Sequence, residues 1–540
     1  MEPGSSISPR PCSRLRTARY ALLAIAVVAI GYQAWYFAQP PVADRACTFT
    51  YPMQGDEVER AISYEALDGG TLRVLQRGGT INDASCLNRT PVFAIVEIRS
   101  EDDLQNALEL ARRNSLAVTP AGERHSMGGQ SFSRGGLVLD MRGFDGIEVD
   151  RDAMTMTVGS GASWKEIQAV LDPMGLAVKA MQSINIFTVG GTLSVNAHGV
   201  AHDPGQIAPT VRSMRVMLSS GEIVRASRTE NAELFGAVLG GYGLIGVILD
   251  ATLDIVPNEV YVWNTTYIDF PDFPDYYRRN VVGNPATGLM YGRLSIAPDN
   301  YLNEAAIHTY EHSTLDIPPQ PLGPPAKVGI KRLVFNISKT GGFGRWLRWN
   351  IEKHLEPGVH VCVERDDAAT GDAREVCVAS RNQKMNQSMD YLDTRLKDTN
   401  ILHEYFIPLD ETPSFIEGLR SIAVANDVNL VNVTLRIVTK DEITALPYAK
   451  DDRIAFVLYF NQRLDQEDSE ALEKATRELI DLAIRHGGTF YLPYQLHYSP
   501  AQLRAAYPEV DRFFVLKARY DPIGLFSNAW FEKYGPQSPD

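Results

Sequence analysis

Cysteine is scarce in this chain: five in 540 residues, none in a Cys-x-x-Cys pair or a Cys/His cluster with zinc spacing. A structural metal is therefore not what organises the fold, and no metal ligand is expected. Long blocks of one charge sign are also missing. The net charge of −14 is spread along the sequence, which reads as a solvated surface and not an interaction tail. Without a concentrated basic face there is no footing for a phosphate backbone, so nucleic acid is not expected as a partner. Extended low-complexity segments are absent too. Apolar residues at 44% and charged residues at 22% are ordinary globular values, so the chain should fold. Single cores stop growing near roughly 250–300 residues, so this length implies more than one.

Long apolar runs are confined to the N-terminus. Arg10, Arg14, Arg16 and Arg19 precede an uncharged stretch, Tyr20 to Ala38, which ends in Trp35, Tyr36 and Phe37. This pattern predicts a cytoplasmic basic tail over 1–19 and a single-pass anchor over 20–38, with the bulk of the chain on the non-cytoplasmic side. A cleaved signal peptide is the competing reading, because Ala21 to Ile30 is only of signal length. Tyr36 and Asp44 stand where a cleavage site wants small residues, which favours the anchor. In an oxidising compartment Cys47 with Cys86 and Cys362 with Cys377 are the pairs suggested by proximity in sequence, Cys12 staying on the other side.

Residues 39–87 read as a tether and lead-in, with a short strand at Leu72 to Leu75. A strand at Val92 to Ile98, a helix opened by Ser100 with Asp103 in capping-box position, and a strand at Ala117 to Pro120 make a β-α-β start. Short strands at Gly136 to Met141, Gly146 to Asp150 and Thr155 to Gly159 follow, then a helix from Ser163, a Gly-rich stretch from Val189 to Gly205, and a strand, helix and strand ending at Val256. The second half alternates strands (Val260 to Ile268, Gly288 to Ile296, Ile401 to Pro408, Leu430 to Val438, Ile454 to Asn461, Gly488 to Tyr494) with helices at Thr412 to Ala425 and Glu467 to His486. That order predicts an α+β protein whose second half is an antiparallel sheet backed by helices. In Leu430 to Val438 the period of two sends Val431, Val433, Leu435 and Ile437 to the helices and Asn432, Thr434 and Arg436 to the opposite face. Pro318 to Met389 is less regular and reads as an insertion.

Three glycine clusters stand out. In Thr119-Pro120-Ala121-Gly122-Glu123-Arg124-His125-Ser126 a strand empties into a turn whose N–H groups could cradle a pyrophosphate, with a nucleophilic imidazole embedded in it. The same spacing fits a turn whose histidine merely bonds nearby backbone. Gly190-Gly191-Thr192-Leu193-Ser194-Val195-Asn196-Ala197-His198-Gly199 lets backbone approach a ligand closely and adds polar contacts, though a β-turn with a surface histidine has this composition too. Gly241-Tyr242-Gly243-Leu244-Ile245-Gly246 is formally the dinucleotide fingerprint. Its context is reversed, however, since a helix precedes it and a strand follows.

Taken in order, these motifs resemble the FAD-binding domain of the vanillyl-alcohol oxidase superfamily, the PCMH type. The matching parts are the Gly-x-Arg-His-Ser loop, the strand Leu137 to Met141, the Gly190 to Gly199 loop, Val211-Arg212-Ser213-Met214, Glu233-Leu234-Phe235 and Gly243 to Gly246. The tail Arg519 to Asn528 is similar to the terminal segment of these enzymes. The resemblance implies a two-subdomain FAD-binding domain over 88–257, a substrate or cap domain over 258–510, and a C-terminal segment, 511–540, returning to the FAD domain. Aldonolactone and alditol oxidases, cytokinin dehydrogenases and the decaprenylphosphoryl-ribose oxidase are the similar groups.

By this resemblance FAD would be held by Ala121, Gly122, Glu123, Arg124, His125, Ser126, Gly190, Gly191, Thr192, Ser194, His198, Gly199, Ile245, Val247 and Asn528. His125 would carry a covalent flavin bond, the only one, since no cysteine lies in the second loop. A hydride would pass from an alcohol, lactone or polyol to flavin N5, with Glu404, Arg436, Tyr494 and His198 moving the proton or orienting the substrate. Glu404 with Arg436 could equally be a surface ion pair, and Tyr494 a half-buried strand aromatic. The ribose oxidase has lysines where Tyr494 and Val200 stand here, so its substrate is not implied. A small-molecule substrate is expected, and the electron acceptor (oxygen, a quinone or a cytochrome) is left open. The alternatives are a lipid-linked sugar oxidase at a membrane surface and a membrane-tethered flavin-binding protein without turnover.

Overall fold

Strand-forming runs separated by Gly and Asp turns assemble, among the described residues, into four sheets. The computed structural model describes residues 27, 30–38, 67, 71–314, 317–324, 327–355, 361–366, 373–386, 392 and 398–536. The first large sheet orders Arg73–Arg77, Ala94–Glu97, Leu137–Asp140 and Val118–Ala121, the last three running parallel. Parallel strands need a crossover, and the helix Glu101–Arg113 supplies one. Ser100 caps it by accepting from Asp103 N. Asp103 does not close a box onto Ser100, because its carboxylate accepts from Arg99 N, one residue earlier.

The second sheet is antiparallel, in the order Ile223–Ser227, Val211–Met217, Val247–Pro257, Thr155–Gly159 and Ile147–Asp150. Trp164–Leu171 packs beside it behind a complete capping box between Ser163 and Glu166. The Gly-rich stretch expected as a loop contains a short helix, Val189–Ser194, capped by Thr188.

The second half of the chain forms a nine-stranded antiparallel sheet in the order Val361–Asp366, Ala373–Ser380, Val260–Asp269, Glu304–His312, Thr287–Leu294, Leu430–Val438, Arg453–Arg463, Asp398–Pro408 and Thr489–Phe490. Helices Thr412–Ala425 and Gln466–Arg485 back it, meeting where Gly418 leaves room for Leu482. The expected strand Gly488 to Tyr494 shrinks to Thr489–Phe490, because Met127 N and Gln130 Nε2 bond the carbonyls of Pro493 and Leu492 and draw that segment off the sheet. The stretch read as an irregular insertion carries two helices, Val328–Ser338 and Gly342–Leu355, and a hairpin. Cys86 and Cys377 are each in a disulfide. Cys362 lies directly across the ladder from Cys377, while Cys12 and Cys47 fall outside the described residues.

The C-terminus returns to the first sheet. Val118 N donates to Leu525 O at 2.8 Å and Ser527 N to Val118 O at 3.0 Å, so the tail forms a parallel bridge beside Val118–Ala121. Asp521 organises this return: its buried carboxylate accepts from Leu525 N, Phe526 N and Lys517 Nζ.

The expected single-pass anchor is overturned. Among the described residues no helix is long and apolar enough to cross a membrane, and the non-cytoplasmic placement that rested on the anchor falls with it. Of 20–38 the structure describes residue 27 and the helical stretch 30–38, the remainder lying outside the described residues. The last carbonyls of that stretch are bonded by the protein. Arg332 Nη1 donates to Ala38 O at 3.1 Å and Asn336 Nδ2 to Phe37 O at 2.9 Å.

Candidate functional site

The two glycine-bearing loops meet. Gly122 lies so close to Thr188 that a Cβ there would fall 2.1 Å from the threonine Oγ1, and a Cβ on Gly190 would come within 2.8 Å of Ser160 Cβ. They line one cavity of about 1330 Å³, larger than the roughly 300–1,000 Å³ usual for small-molecule sites. Ala121 to Ser126, Gly190, Gly191, Thr192, Ser194, His198 and Val247 are in its wall. Gly199, Ile245 and Asn528 are not. Gly199 is required by packing, since a Cβ there would sit 1.9 Å from Met181 O. Ile245 is buried in the core. Asn528 caps the helix Ala529–Tyr534 and donates to Tyr242 O at 2.9 Å, which steadies the third glycine cluster. That cluster does follow a helix, Ala232–Val238, and precede the strand Val247–Pro257.

The first loop is held rigidly from both sides. Asp83 accepts from Gly129 N at 2.9 Å and Asn88 Nδ2 at 2.9 Å; burial raises its pKa to about 6 against these bonds. Arg124 adopts the left-handed region at φ 53°, rare for a residue with a long side chain, while its guanidinium bonds Asn82 O at 3.1 Å. His125 is half-buried in the cavity wall, edge-on to Phe187 with ring centroids 4.6 Å apart. Burial first, and then the Arg124 charge, lower its pKa to about 3. Its imidazole is consequently neutral at physiological pH, the form that can act as a nucleophile.

Opposite these loops, the period-two pattern of the large sheet delivers a polar face. Thr434 pairs with Val457 and Val457 with Glu404, so these three form one row across neighbouring strands, and all line the cavity. Arg436 lies two residues further along its strand, while Val433, Leu435 and Ile437 are buried behind; Val431, expected with them, packs instead with Phe335 and Tyr459, because the register shifts between Leu430 and Asn432. Glu404 is the centre of a closed group: its carboxylate meets His198 Nε2 at 2.6 Å and accepts from Tyr494 OH at 2.5 Å. Arg436 donates to His198 O at 3.3 Å, and its Nε has no partner among the described residues. Burial acts to raise the Glu404 pKa, but His198, Arg436 and the Tyr494 hydroxyl outweigh it and hold the carboxylate below its ordinary range. Burial and that same carboxylate push Tyr494 well up, so it stays protonated. Glu404 is buried and Arg436 half-buried, and the ion-pair partner of Glu404 is His198, so Glu404 and Arg436 are not a surface ion pair.

Comparison with known proteins agrees with this geometry. Residues 93–227 match the FAD binding domain family, and residues 358–534 match the D-arabinono-1,4-lactone oxidase family. Cytokinin dehydrogenase 3 of Arabidopsis thaliana is 24% identical over 81% of this chain and 85% of its own length. An uncharacterized oxidoreductase of the fasciation locus of Rhodococcoides fascians is 34% identical over 40% of this chain and 50% of its own. The decaprenylphosphoryl-beta-D-ribose oxidase of Mycolicibacterium smegmatis is 32% identical over 28% of this chain and 33% of its own. The chain belongs to the PCMH-type superfamily of FAD-dependent oxidoreductases. The last two matches span half or less of the relatives' lengths, so what those proteins do as wholes does not transfer by similarity alone.

As a PCMH-type flavoprotein the chain has a wall that fits FAD. Ser160 Oγ and Ser183 Oγ are buried in the cavity lining beside the second loop without a partner among the described residues. A buried hydroxyl left so costs free energy that a polar ligand recovers. Among the described residues no group of three or more His, Cys, Asp and Glu could hold a metal. Ser160 and Ser183 were invisible to motif reading, because single serines carry no spacing signal. Arg293 and Glu352, also in the lining, were missed for different reasons. Arg293 alternates with buried Gly292 and Leu294 and could have been found from that period, whereas Glu352 sits in the stretch read as an insertion.

Proposed function

We propose that this flavoprotein oxidises a CH–OH group of a polyol, sugar or lactone-type substrate, with Glu404 accepting the hydroxyl proton. The observation that carries this reading is a buried carboxylate kept ionised inside the cavity that the two glycine loops line. Bound FAD supplies the hydride acceptor. Ala121 to Ser126 and Gly190 to Ser194 would hold it, with Ser160 and Ser183 donating hydroxyl bonds. Glu404 is a general base whose proton affinity is set by His198 and Tyr494. Arg436, half-buried with a buried Nε that has no partner among the described residues, stabilises negative charge on the substrate oxygen as the proton leaves. His198 is a positioning residue: its ring sits against Phe406, Tyr448 and Tyr491 and fixes the carboxylate. The lactone-oxidase match spans Glu404, Arg436 and Tyr494, which supports a CH–OH donor.

We further propose that the flavin is attached through His125, whose neutral imidazole lies in the same wall. On a denaturing gel the wild-type band should fluoresce and the His125→Ala band should not, with FAD retained noncovalently and activity weakened. A fluorescent, fully active variant sinks the linkage. For the reaction itself, anaerobic mixing with an alditol or aldonolactone should bleach the flavin absorbance. A passive flavin binder stays yellow.

A further inference from the structure

Away from the glycine loops, the cavity lining is basic in a chain whose net charge is −14. Arg293, on the strand Thr287–Leu294, and Arg348, on the helix Gly342–Leu355, converge on one carboxylate: Arg293 Nη2 reaches Glu352 Oε1 at 2.9 Å and Arg348 Nε reaches it at 2.8 Å. Both also reach Asn432 Oδ1, at 2.9 and 3.3 Å. Within this group two guanidiniums share one carboxylate. Burial acts to raise the Glu352 pKa, yet the two guanidiniums hold it below the ordinary range. Lys327 and Lys331 stand at the edge of the same cavity, exposed, and neither makes an ion pair with a described residue.

The placement relative to the proton acceptor is defined by the sheet. Arg293 pairs with Thr434, Thr434 with Val457, and Val457 with Glu404. Three inter-strand spacings put about 14 Å between the end Cα atoms, and long side chains facing the cavity narrow that gap. The space suits a short polyhydroxylated chain with one end beside Glu404. Like charges gathered in a partly buried wall repel one another and lose hydration, a cost that a bound anion removes.

We propose that Arg293, Arg348, Lys327 and Lys331 form a subsite for an anionic group on the substrate, a carboxylate or a phosphate ester, carried at the end remote from the oxidised CH–OH. This rests on the alcohol-oxidising reading for the identity of the reacting group, but not for the binding of the anion. Specificity then comes from charge: an acidic sugar derivative is drawn into the cavity, and its neutral counterpart binds by hydrogen bonds alone.

The holoenzyme tests this by titration with a six-carbon aldonate, the corresponding sugar phosphate and the uncharged alditol, following perturbation of the flavin absorbance in air-free buffer. At least one charged probe should half-saturate at a concentration about tenfold below the alditol, and which one does so separates carboxylate from phosphate. Raising the salt concentration should shrink that ratio, and Lys327→Glu/Lys331→Glu should bring it near one. Equal half-saturation for charged and neutral probes, or a ratio unchanged in the lysine variant, overturns the subsite. Bleaching by the alditol in that case leaves the alcohol-oxidising reading standing. Saturable, lysine-dependent anion binding without bleaching by any probe keeps the subsite and sinks that reading instead.

Discussion

Glu404, His125 and Asp83 show how burial and neighbouring groups together set the proton affinity of groups in the cavity wall and behind it. Glu404 keeps its charge because His198, Arg436 and Tyr494 surround it, so Glu404→Gln should lower the rate of flavin reduction about 10²- to 10⁴-fold while the oxidised flavin spectrum is retained. Stopped-flow reduction measures this. Since its pKa is held below the ordinary 4.5, the pH profile of that rate should stay flat from neutral down to about 4.5 with respect to this group. His125 and His497 act on stability. Their folded pKa values, about 3 and about 4, lie below the ordinary 6.5. Between those values the unfolded chain binds more protons, so stability is full above about 6.5 and falls as the pH drops toward 3. Asp83, raised to about 6, works in the opposite direction below that pH, but two histidines outweigh one carboxyl. Chemical denaturation of the flavin-free protein at a series of pH values should therefore show a midpoint falling on acidification. A midpoint that rises would contradict the two histidine shifts.

At the scale of elements, two loops must lie against each other with no spare volume. The Gly122 Cβ position is 2.1 Å from Thr188 Oγ1, 3.0 Å from its Cγ2 and 3.1 Å from its Cβ, so no threonine rotamer clears it. Gly122→Ala should thus yield a folded protein that purifies with less flavin, read from the ratio of flavin to protein absorbance. Adding Thr188→Ala should restore much of it, after a loss of about 1 kcal/mol for the missing helix cap. No restoration would show that the loops are not coupled through this contact. The same loop reaches the large sheet through Gln130 and Pro493, which is why a strand expected to extend to Tyr494 ends at Phe490. Period and propensity describe a strand on its own; they do not carry the hydrogen bonds that peel its end away.

At the scale of the whole molecule, the tail closes the structure. Asp521 is 2% exposed and accepts from Leu525 N at 2.9 Å and Phe526 N at 2.8 Å, fixing the segment that pairs with Val118. Asp521→Ala leaves Lys517 buried without its carboxylate, which should cost about 3–5 kcal/mol. Thermal unfolding should shift down, and flavin fluorescence should rise in the same transition as the ring becomes exposed, because the strand Val118–Ala121 that receives the tail also feeds the His125 loop. A rise well before unfolding would argue that the tail and the loop are independent.

Order along the chain carried the family, the glycine loops and the face of Leu430 to Val438 that holds Arg436, since these depend on local period and on ordered motifs. Glu404, Tyr494 and His198 were readable as candidates one at a time. Their union around one carboxylate was decided by strand pairing and by a loop from the other half of the molecule, because His198 and Glu404, 206 positions apart, meet only when the halves pack. The N-terminal apolar run marks the opposite case. Composition alone predicted a span, and only the structure brought its last carbonyls to Arg332 and Asn336, since hydrophobicity names a preference for burial without naming what does the burying.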